Sequence, residues 1–324
     1  MVLEGIKKNN FIIVGRAGID FFTDAGVKVE DAETLTVDLG GSAANIGAGL
    51  CKLGGQAALV TRVSDDSVGS YCINRLKHYG VDTRYVTPVG GEYRNSLAVY
   101  ESVLEGHRNV IYRNGAADFQ MDIADVEAVN YAAYGALITA GTVFAAEPSR
   151  GAAFRAIELA KEAGLPIIFD VDYRPYSWPS PQVASDVLSR AAALSDVIVG
   201  NDEEFGFMAG DYDEGLTKAH DLAEGGVAIV IYKMGPGGAM TYYDGNILRT
   251  GIYPVDALKP VGAGDSFMAG FLSGIAAGQS VRDAVLRGSA CASITVSRPG
   301  CAPALPNTQD LEEFLANHPG PSQP

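Results

Sequence analysis

Little in the chain ties it to disulfide, metal, membrane or nucleic-acid chemistry. Its four cysteines, Cys51, Cys72, Cys291 and Cys301, are widely spaced with no Cys-x-x-Cys pair, and its four histidines show no ligand spacing. Reduced, mostly buried thiols are therefore expected, rather than a disulfide framework or a zinc site. No apolar run approaches the roughly 20 residues of a membrane span. Basic residues number 24 against 39 acidic ones, and the resulting formal charge of -15 repels a polyphosphate backbone. Nucleic-acid partners are disfavoured. Residues 1–10 mix charges of both signs without an apolar stretch, so no secretory leader is expected and the expected location is cytoplasmic. Neither Gly-x-x-x-x-Gly-Lys-Ser/Thr nor Gly-x-Gly-x-x-Gly follows a strand, so a Walker-type loop and the usual dinucleotide fingerprint are both missing. An anionic ligand has to meet a positive site built another way.

What is present is a long α/β pattern. The 324 residues, 47% of them hydrophobic, suffice for one large domain with a sizeable core. Short β-branched or aromatic runs occur at residues 11–14, 57–60, 135–139, 166–170, 197–200 and 227–232, most of them separated by helical spacing. This alternation predicts parallel strands with crossover helices. From Ser149 to Gly164 an apolar stripe through Ala153, Ile157 and Ala160 predicts a helix, with Ser149 able to cap and Gly164 able to close it. Two stretches break the rhythm, 16–38 and 92–113, and read as strands of a small antiparallel accessory sheet. The simplest place for such a sheet is as a lid over the carboxyl edge of the main one. The expected organisation is a single domain over 1–318, with a frayed Pro-rich tail at 319–324.

Glycine-rich segments carry the chemistry. In Lys259-Pro260-Val261-Gly262-Ala263-Gly264-Asp265-Ser266, three small residues precede a helical run. Their bare N–H groups and the helix dipole suit an anion, and a carboxylate at Asp265 could accept a proton from an incoming hydroxyl. A plainer role for Asp265 is a helix cap. Gly40-Gly41-Ser42-Ala43-Ala44-Asn45 is a second small-residue turn into a helix, in which Asn45 offers an amide to sugar hydroxyls. Asn201-Asp202-Glu203-Glu204 follows a strand and opens a helix, where acids also simply offset the dipole. Lys233-Met234-Gly235-Pro236-Gly237-Gly238 is a third glycine turn, with a hairpin as its plainer reading.

Taken together these segments resemble the ribokinase-like (PfkB) carbohydrate kinase family over nearly the whole chain. Residues 40–45 are similar to its amino-terminal signature, 259–270 to its carboxy-terminal one, and Asn201 with Glu204 to its Asn-x-x-Glu element. The resemblance implies a ribokinase-like three-layer sandwich with a mostly parallel nine-stranded sheet and a β-sheet lid. It also implies ATP and Mg²⁺ as cofactors. In that frame Asp265 is the general base, and Gly262, Ala263 and Gly264 form the anion hole. Asn201 and Glu204 hold Mg²⁺ largely through water. Lys233, Gly235, Gly237 and Gly238 border the nucleotide, while Asp20, Gly41 and Asn45 meet the sugar. Family lids often pair across a two-fold axis, so a homodimer through the lid is expected.

Residues 170–179, Asp-Val-Asp-Tyr-Arg-Pro-Tyr-Ser-Trp-Pro, resemble a segment of kinases that act on keto-deoxy sugar acids. Arg174 there, and Arg113, are candidates for an anionic acceptor, although a structural salt bridge would equally use Arg174. Lys259-Pro260-Val261 and residues 298–302 are similar to the branch of the family that phosphorylates 5-dehydro-2-deoxygluconate; 2-keto-3-deoxygluconate and fructose are the alternative acceptors. Lys259 puts an ammonium where relatives commonly carry an acid that helps bind a monovalent cation, which calls potassium activation into question. A non-catalytic sensor on the same fold and a nicotinamide-dependent oxidoreductase are the rival readings.

Overall fold

The computed structural model describes residues 2–103, 106, 108–318 and 320–322. Strands form where short apolar runs meet turn residues: β1 (Asn10–Val14), β2 (Gly18–Phe22), β3 (Thr36–Gly40), β4 (Gln56–Ser64), β5 (Asp82–Val89), β6 (Leu97–Tyr100), β7 (Val110–Tyr112), β8 (Ala136–Ala140), β9 (Ile167–Asp170), β10 (Val197–Asn201), β11 (Ile229–Lys233), β12 (Ala239–Tyr243) and β13 (Asn246–Thr250). Nine of them make one sheet in the order β13-β12-β11-β10-β9-β8-β1-β4-β5. Pairing is parallel from β11 to β5, and the β11-β12-β13 edge is antiparallel.

Successive side chains of a strand point to opposite faces, so each central strand feeds two cores. Ile13, Leu59, Ile138, Ile168, Val199 and Ile231 pack on one face, against Ala44 and Leu50 of the helix Ser42–Lys52 and Phe271 and Leu272 of the helix Ala263–Ala276. Ile12, Val60, Leu137, Phe169, Ile198 and Val230 pack on the other. There they meet Ile157 of the helix Ser149–Glu162, Leu188 of Pro181–Ala193 and Phe205 of Asp202–Ala209. The result is a three-layer sandwich.

The other four strands form a separate small sheet, β3-β2-β6-β7. Its outer pairs are antiparallel and its central pair, β2 with β6, is parallel. Its strands come from residues 18–40 and 97–112, so the first segment reaches two residues beyond the expected 38, to Gly40. The frayed tail expected after His318 is instead pinned at Ser322: its N–H donates to Ile252 O at 2.7 Å and its Oγ accepts from Ile252 N at 3.1 Å. Pro319, Gln323 and Pro324, which share that expectation, lie outside the described residues.

Candidate active site

In the large sheet the chain runs from β1 out to β4 and β5, then returns on the other side of β1 at β8, so strand order reverses there. Ligands of open α/β sheets bind beyond the carboxyl ends of strands at such a switch point. A cavity of about 1100 Å³ opens there. Its walls include Arg16 just after β1, Asp170 and Asp172 at the end of β9, Asn201 at the end of β10, and Lys233 at the end of β11. Asp20 of the small sheet closes one end.

The helix Ala263–Ala276 starts at Gly262, whose φ of +85° is one that a residue with a Cβ rarely adopts. A Cβ there would also lie 3.3 Å from both Cys301 Sγ and Thr295 Cγ2. Among the described residues, no side chain caps this helix. Among the described residues, the N–H groups of Ala263, Gly264 and Asp265 have no acceptor, while Ser266 N already donates to Gly262 O. First-turn donors must find a partner somewhere, and these line the cavity. Asp265, three residues into this turn, accepts from Asn45 Nδ2 at 2.9 Å. Burial pushes its carboxyl up to about 7, the Asp172 charge adds to the rise, and Asn45, Arg174 and Lys233 restrain it. The plain capping role is therefore not what Asp265 performs.

Lys233 Nζ stands 3.4 Å from where a Cβ of Gly264 would be, beside the open amides. The turn after it is a hairpin joining antiparallel β11 and β12, with Gly235 at φ +52° and Gly238 at φ +81°. A Cβ on Gly238 would fall 2.0 Å from Thr250 O. The hairpin reading holds, and the same turn borders the cavity through Gly235 and Gly238. Gly237 is not among the lining residues.

Asn201 and Glu204 form a capping box, Glu204 N donating to Asn201 Oδ1 at 2.9 Å and Asn201 N to Glu204 Oε2 at 2.8 Å. The second Glu204 oxygen, Oε1, lies 3.8 Å from Arg174 Nη1. Burial raises the Glu204 carboxyl, against the pull of Lys233 and Arg174. No set of three or more His, Cys, Asp or Glu among the described residues is arranged to hold a metal. One available carboxylate oxygen beside an occupied amide suits a cation that keeps most of its water and takes its other ligands from phosphate, as Mg²⁺ does.

At the other end Asp20 is 1% exposed, its Oδ1 has no hydrogen-bond partner, and burial pushes its carboxyl up to about 7, with Arg16 opposing and Asp265 adding to the rise. Gly40 makes room for it, since a Cβ there would sit 2.0 Å from Asp20 Oδ1. Asn45, 3% exposed, likewise has a partnerless Oδ1. Gly41 lines the same end, at φ +99°. Two buried polar atoms left open on a cavity wall are places for ligand groups.

The two arginines expected for an anion are already engaged. Arg113 is sealed in: its guanidinium forks onto Asp118 Oδ2, donates to Thr142 O at 2.9 Å and lies 4.0 Å from the Phe119 ring centre. Arg174 pairs with Asp172 Oδ1 at 2.8 Å, as its structural reading anticipated, but 41% of its side chain stays exposed in the cavity. Asp172, at φ +33°, also accepts from the Ser42 and Thr142 hydroxyls. Burial would raise its carboxyl, yet Arg174 and those hydroxyls together hold it below the usual range.

Several residues were not singled out from sequence. Arg16, Asp170 and Ser42 line the cavity, and Gly15-Arg16 directly after a predicted strand was an available signal. An apolar slot built by Ile252, Val255, Ala257, Val285, Ala292 and Val296 adjoins the glycine turn. It had no signal, because half of it comes from an irregular segment. Lys259 is 2% exposed, and its Nζ donates to Val261 O at 2.7 Å and Thr295 O at 3.2 Å.

A two-ended cavity with open helix amides beside a buried carboxylate is the arrangement of a phosphotransferase, and comparison with known proteins agrees. The model of the pfkB family carbohydrate kinases matches residues 8–308. The chain belongs to this family and is a carbohydrate kinase that uses ATP. It is 34% identical to the 5-dehydro-2-deoxygluconokinase of Clostridium tetani, over 95% of this chain and 93% of that one. It is also 34% identical to the protein of the same name from Photobacterium profundum, over 97% of each. Among solved structures, a Vibrio cholerae fructokinase holding fructose, ADP and calcium superposes with a TM-score of 0.83 at 25% identity, over 94% of this chain and 99% of that one.

Proposed function

We propose that the protein transfers the γ-phosphoryl group of ATP to a primary hydroxyl of 5-dehydro-2-deoxygluconate. The observation that carries the chemistry is the pairing of three acceptorless amides, on Ala263, Gly264 and Asp265, with the Asp265 carboxylate in one helical turn. Adenine suits the apolar slot at Ile252, Val255 and Val285, and the phosphates run past Gly235, Gly238 and Lys233 toward the helix start. The sugar lies toward Gly41, Asp20 and Asn45, and the open Oδ1 atoms of the latter two accept its hydroxyl protons.

In the transfer, Asp265 takes the hydroxyl proton while the hydroxyl oxygen bonds to the γ-phosphorus. The bond from phosphorus to the β,γ-bridging oxygen breaks, and ADP leaves with that electron pair. Charge gathering on the equatorial oxygens meets the amides at Gly262–Asp265 and the Lys233 ammonium, which are already oriented. Glu204 and Asn201 would hold Mg²⁺ through water, and the ion would supply positive charge to offset that of the phosphates. Arg174, on the Glu204 side, steadies the moving phosphoryl group.

The substrate reading rests on likeness to kinases named for this acid along almost the whole chain. Coupled ADP assays across 5-dehydro-2-deoxygluconate, 2-keto-3-deoxygluconate, fructose and ribose test it. The expected result is the highest kcat/KM for the first, abolished by EDTA and restored by Mg²⁺. A higher value for fructose would overturn the substrate, and no ADP from any sugar would favour a silent sensor. We infer further that the lids pair in a homodimer. Val37 on β3 and Val110 and Tyr112 on β7 expose apolar side chains at both edges of the small sheet, which supports that reading.

A further inference from the structure

The cavity holds five cationic side chains, and four of them have evident work. Arg113 is closed onto Asp118 and Thr142 O, Arg174 onto Asp172, and Lys259 onto two backbone carbonyls. Lys233 stands by the open amides of the helix start. Arg16 is different. It is 5% exposed, it lines the cavity, and its one side-chain hydrogen bond runs from Nη1 to Ser96 Oγ at 2.8 Å. Among the described residues no carboxylate comes within 4.0 Å of it. A guanidinium carries five donors and cannot shed its charge. Burial works against its charge and the acidic groups around it, Asp20 foremost, outweigh that, yet among the described residues Ser96 Oγ is the one hydrogen-bond partner its side chain has.

Its place in the chain is enforced rather than incidental. Arg16 lies in the short link between β1 and β2, where its carbonyl accepts from Ala44 N at 3.3 Å, tying it to the glycine turn at Gly41. Gly18 leaves the space that the guanidinium fills, since a Cβ there would fall 2.8 Å from Nη1 and 2.7 Å from Ser96 Oγ. The charged and titratable groups that bear on it are Asp20, Tyr100, Asp118 and Asp172. Of these, Asp118 gives its Oδ2 to Arg113 and keeps Oδ1 open, Asp172 is shared among Arg174, Ser42 and Thr142, and burial keeps the Tyr100 hydroxyl protonated. Asp20 remains, with its own Oδ1 open. Arg16 and Asp20 together thus present one unclaimed cation and one unclaimed acceptor at the end of the cavity that the sugar occupies.

We propose that Arg16 is the specificity-determining residue that binds the carboxylate of the acceptor, while Asp20 receives its hydroxyls. This rests on the reading that the acceptor is a keto-deoxy sugar acid. Such an acid carries its carboxylate at one end of a six-carbon chain and its primary hydroxyl at the other. The group that reads the carboxylate must then stand away from Asp265. Arg174, against Asp172 and Glu204, stands on the phosphate side. Arg113 has its fork filled. A guanidinium fork matches a carboxylate with two parallel N–H bonds, and a neutral ketose would leave that fork empty.

The test compares wild type, Arg16→Gln and Arg16→Lys on 5-dehydro-2-deoxygluconate and on its neutral primary amide. Wild type should prefer the acid. In Arg16→Gln, kcat/KM for the acid should fall about 10²-fold, mainly through KM, with the amide changed by no more than about 3-fold and the KM for ATP unaltered. Arg16→Lys keeps the charge but loses the fork, and should lose a smaller part of the acid-over-amide preference. The acid should raise the melting temperature of wild type and leave that of Arg16→Gln unchanged. An acid-over-amide ratio unchanged in both variants, or equal losses on acid and amide, would overturn the assignment. If Arg16→Gln does not fold, the ratio in Arg16→Lys decides by the same criterion. Failure of wild type to phosphorylate the acid at all would instead remove the substrate reading beneath it.

Discussion

In the proposed mechanism, Asp265 and Asn45 set the pH behaviour of the site. The Asp265 carboxyl, lifted by burial to about 7, must be ionised to take a proton, so kcat/KM should rise with pH through about 7 before levelling. Asn45→Ala removes the hydrogen bond that favours the ionised form, and the acid limb should move to higher pH; an unmoved limb would detach Asn45 from the titration. Stability runs the other way. A carboxyl whose folded value lies above its unfolded one favours the folded state at low pH, and that contribution is lost as pH rises through the folded value. Asp265→Asn, which carries no charge to bury, should therefore melt above wild type at pH 8 and close to it near pH 4. Lys259 acts on the same helix start from beneath. Its buried Nζ donates to the Val261 and Thr295 carbonyls, and we propose that this tethered cation stands in for a soluble one. Turnover is expected to be equal in potassium, sodium and tetramethylammonium buffers, and strict potassium dependence would count against this role.

The proposed chemistry hangs on the helix Ala263–Ala276, whose first turn is shaped by Gly262 at φ +85°. Gly262→Ala should cost about 1–2 kcal/mol of strain, and turning the first amides away from the phosphate should lower kcat by about tenfold or more. Unchanged kcat with a well-folded variant would show that the turn tolerates another geometry. This segment was legible in the sequence because its anion site is contiguous: the glycines, the helix start and the carboxylate fall within four residues. The Asn201-x-x-Glu204 pattern was legible as a helix start for the same reason, and its capping box is the structural role that such a local pattern encodes. Arg113 illustrates the opposite case. Its partner Asp118 is only five residues away, but the fork is also occupied by Thr142 O, from the turn after β8, which no local pattern announces.

At the scale of the molecule, parallel strands buried on both faces announce themselves as apolar runs, so the large sheet could be read without knowing its neighbours. The small sheet and the cavity walls could not be read so fully. Arg16 meets its hydrogen-bond partner Ser96 80 residues further on, and the apolar slot joins the irregular stretch after β13 to the helix Val281–Val296. Such sites exist only once the strand order is known. The exposed apolar edges at Val37, Val110 and Tyr112 lead to the expectation of a dimer in sedimentation equilibrium, converted to monomer by Val110→Glu with Tyr112→Glu. A monomer at every concentration of wild type would refute lid pairing.

Phosphoryl transfer by Asp265 beside open helix amides is tested most directly by measuring turnover and ATP affinity of Asp265→Asn in parallel. The expected result is a fall in kcat of about 10²–10⁴-fold with the Kd for ATP unchanged. Turnover near that of wild type would contradict the assignment of Asp265 as the base.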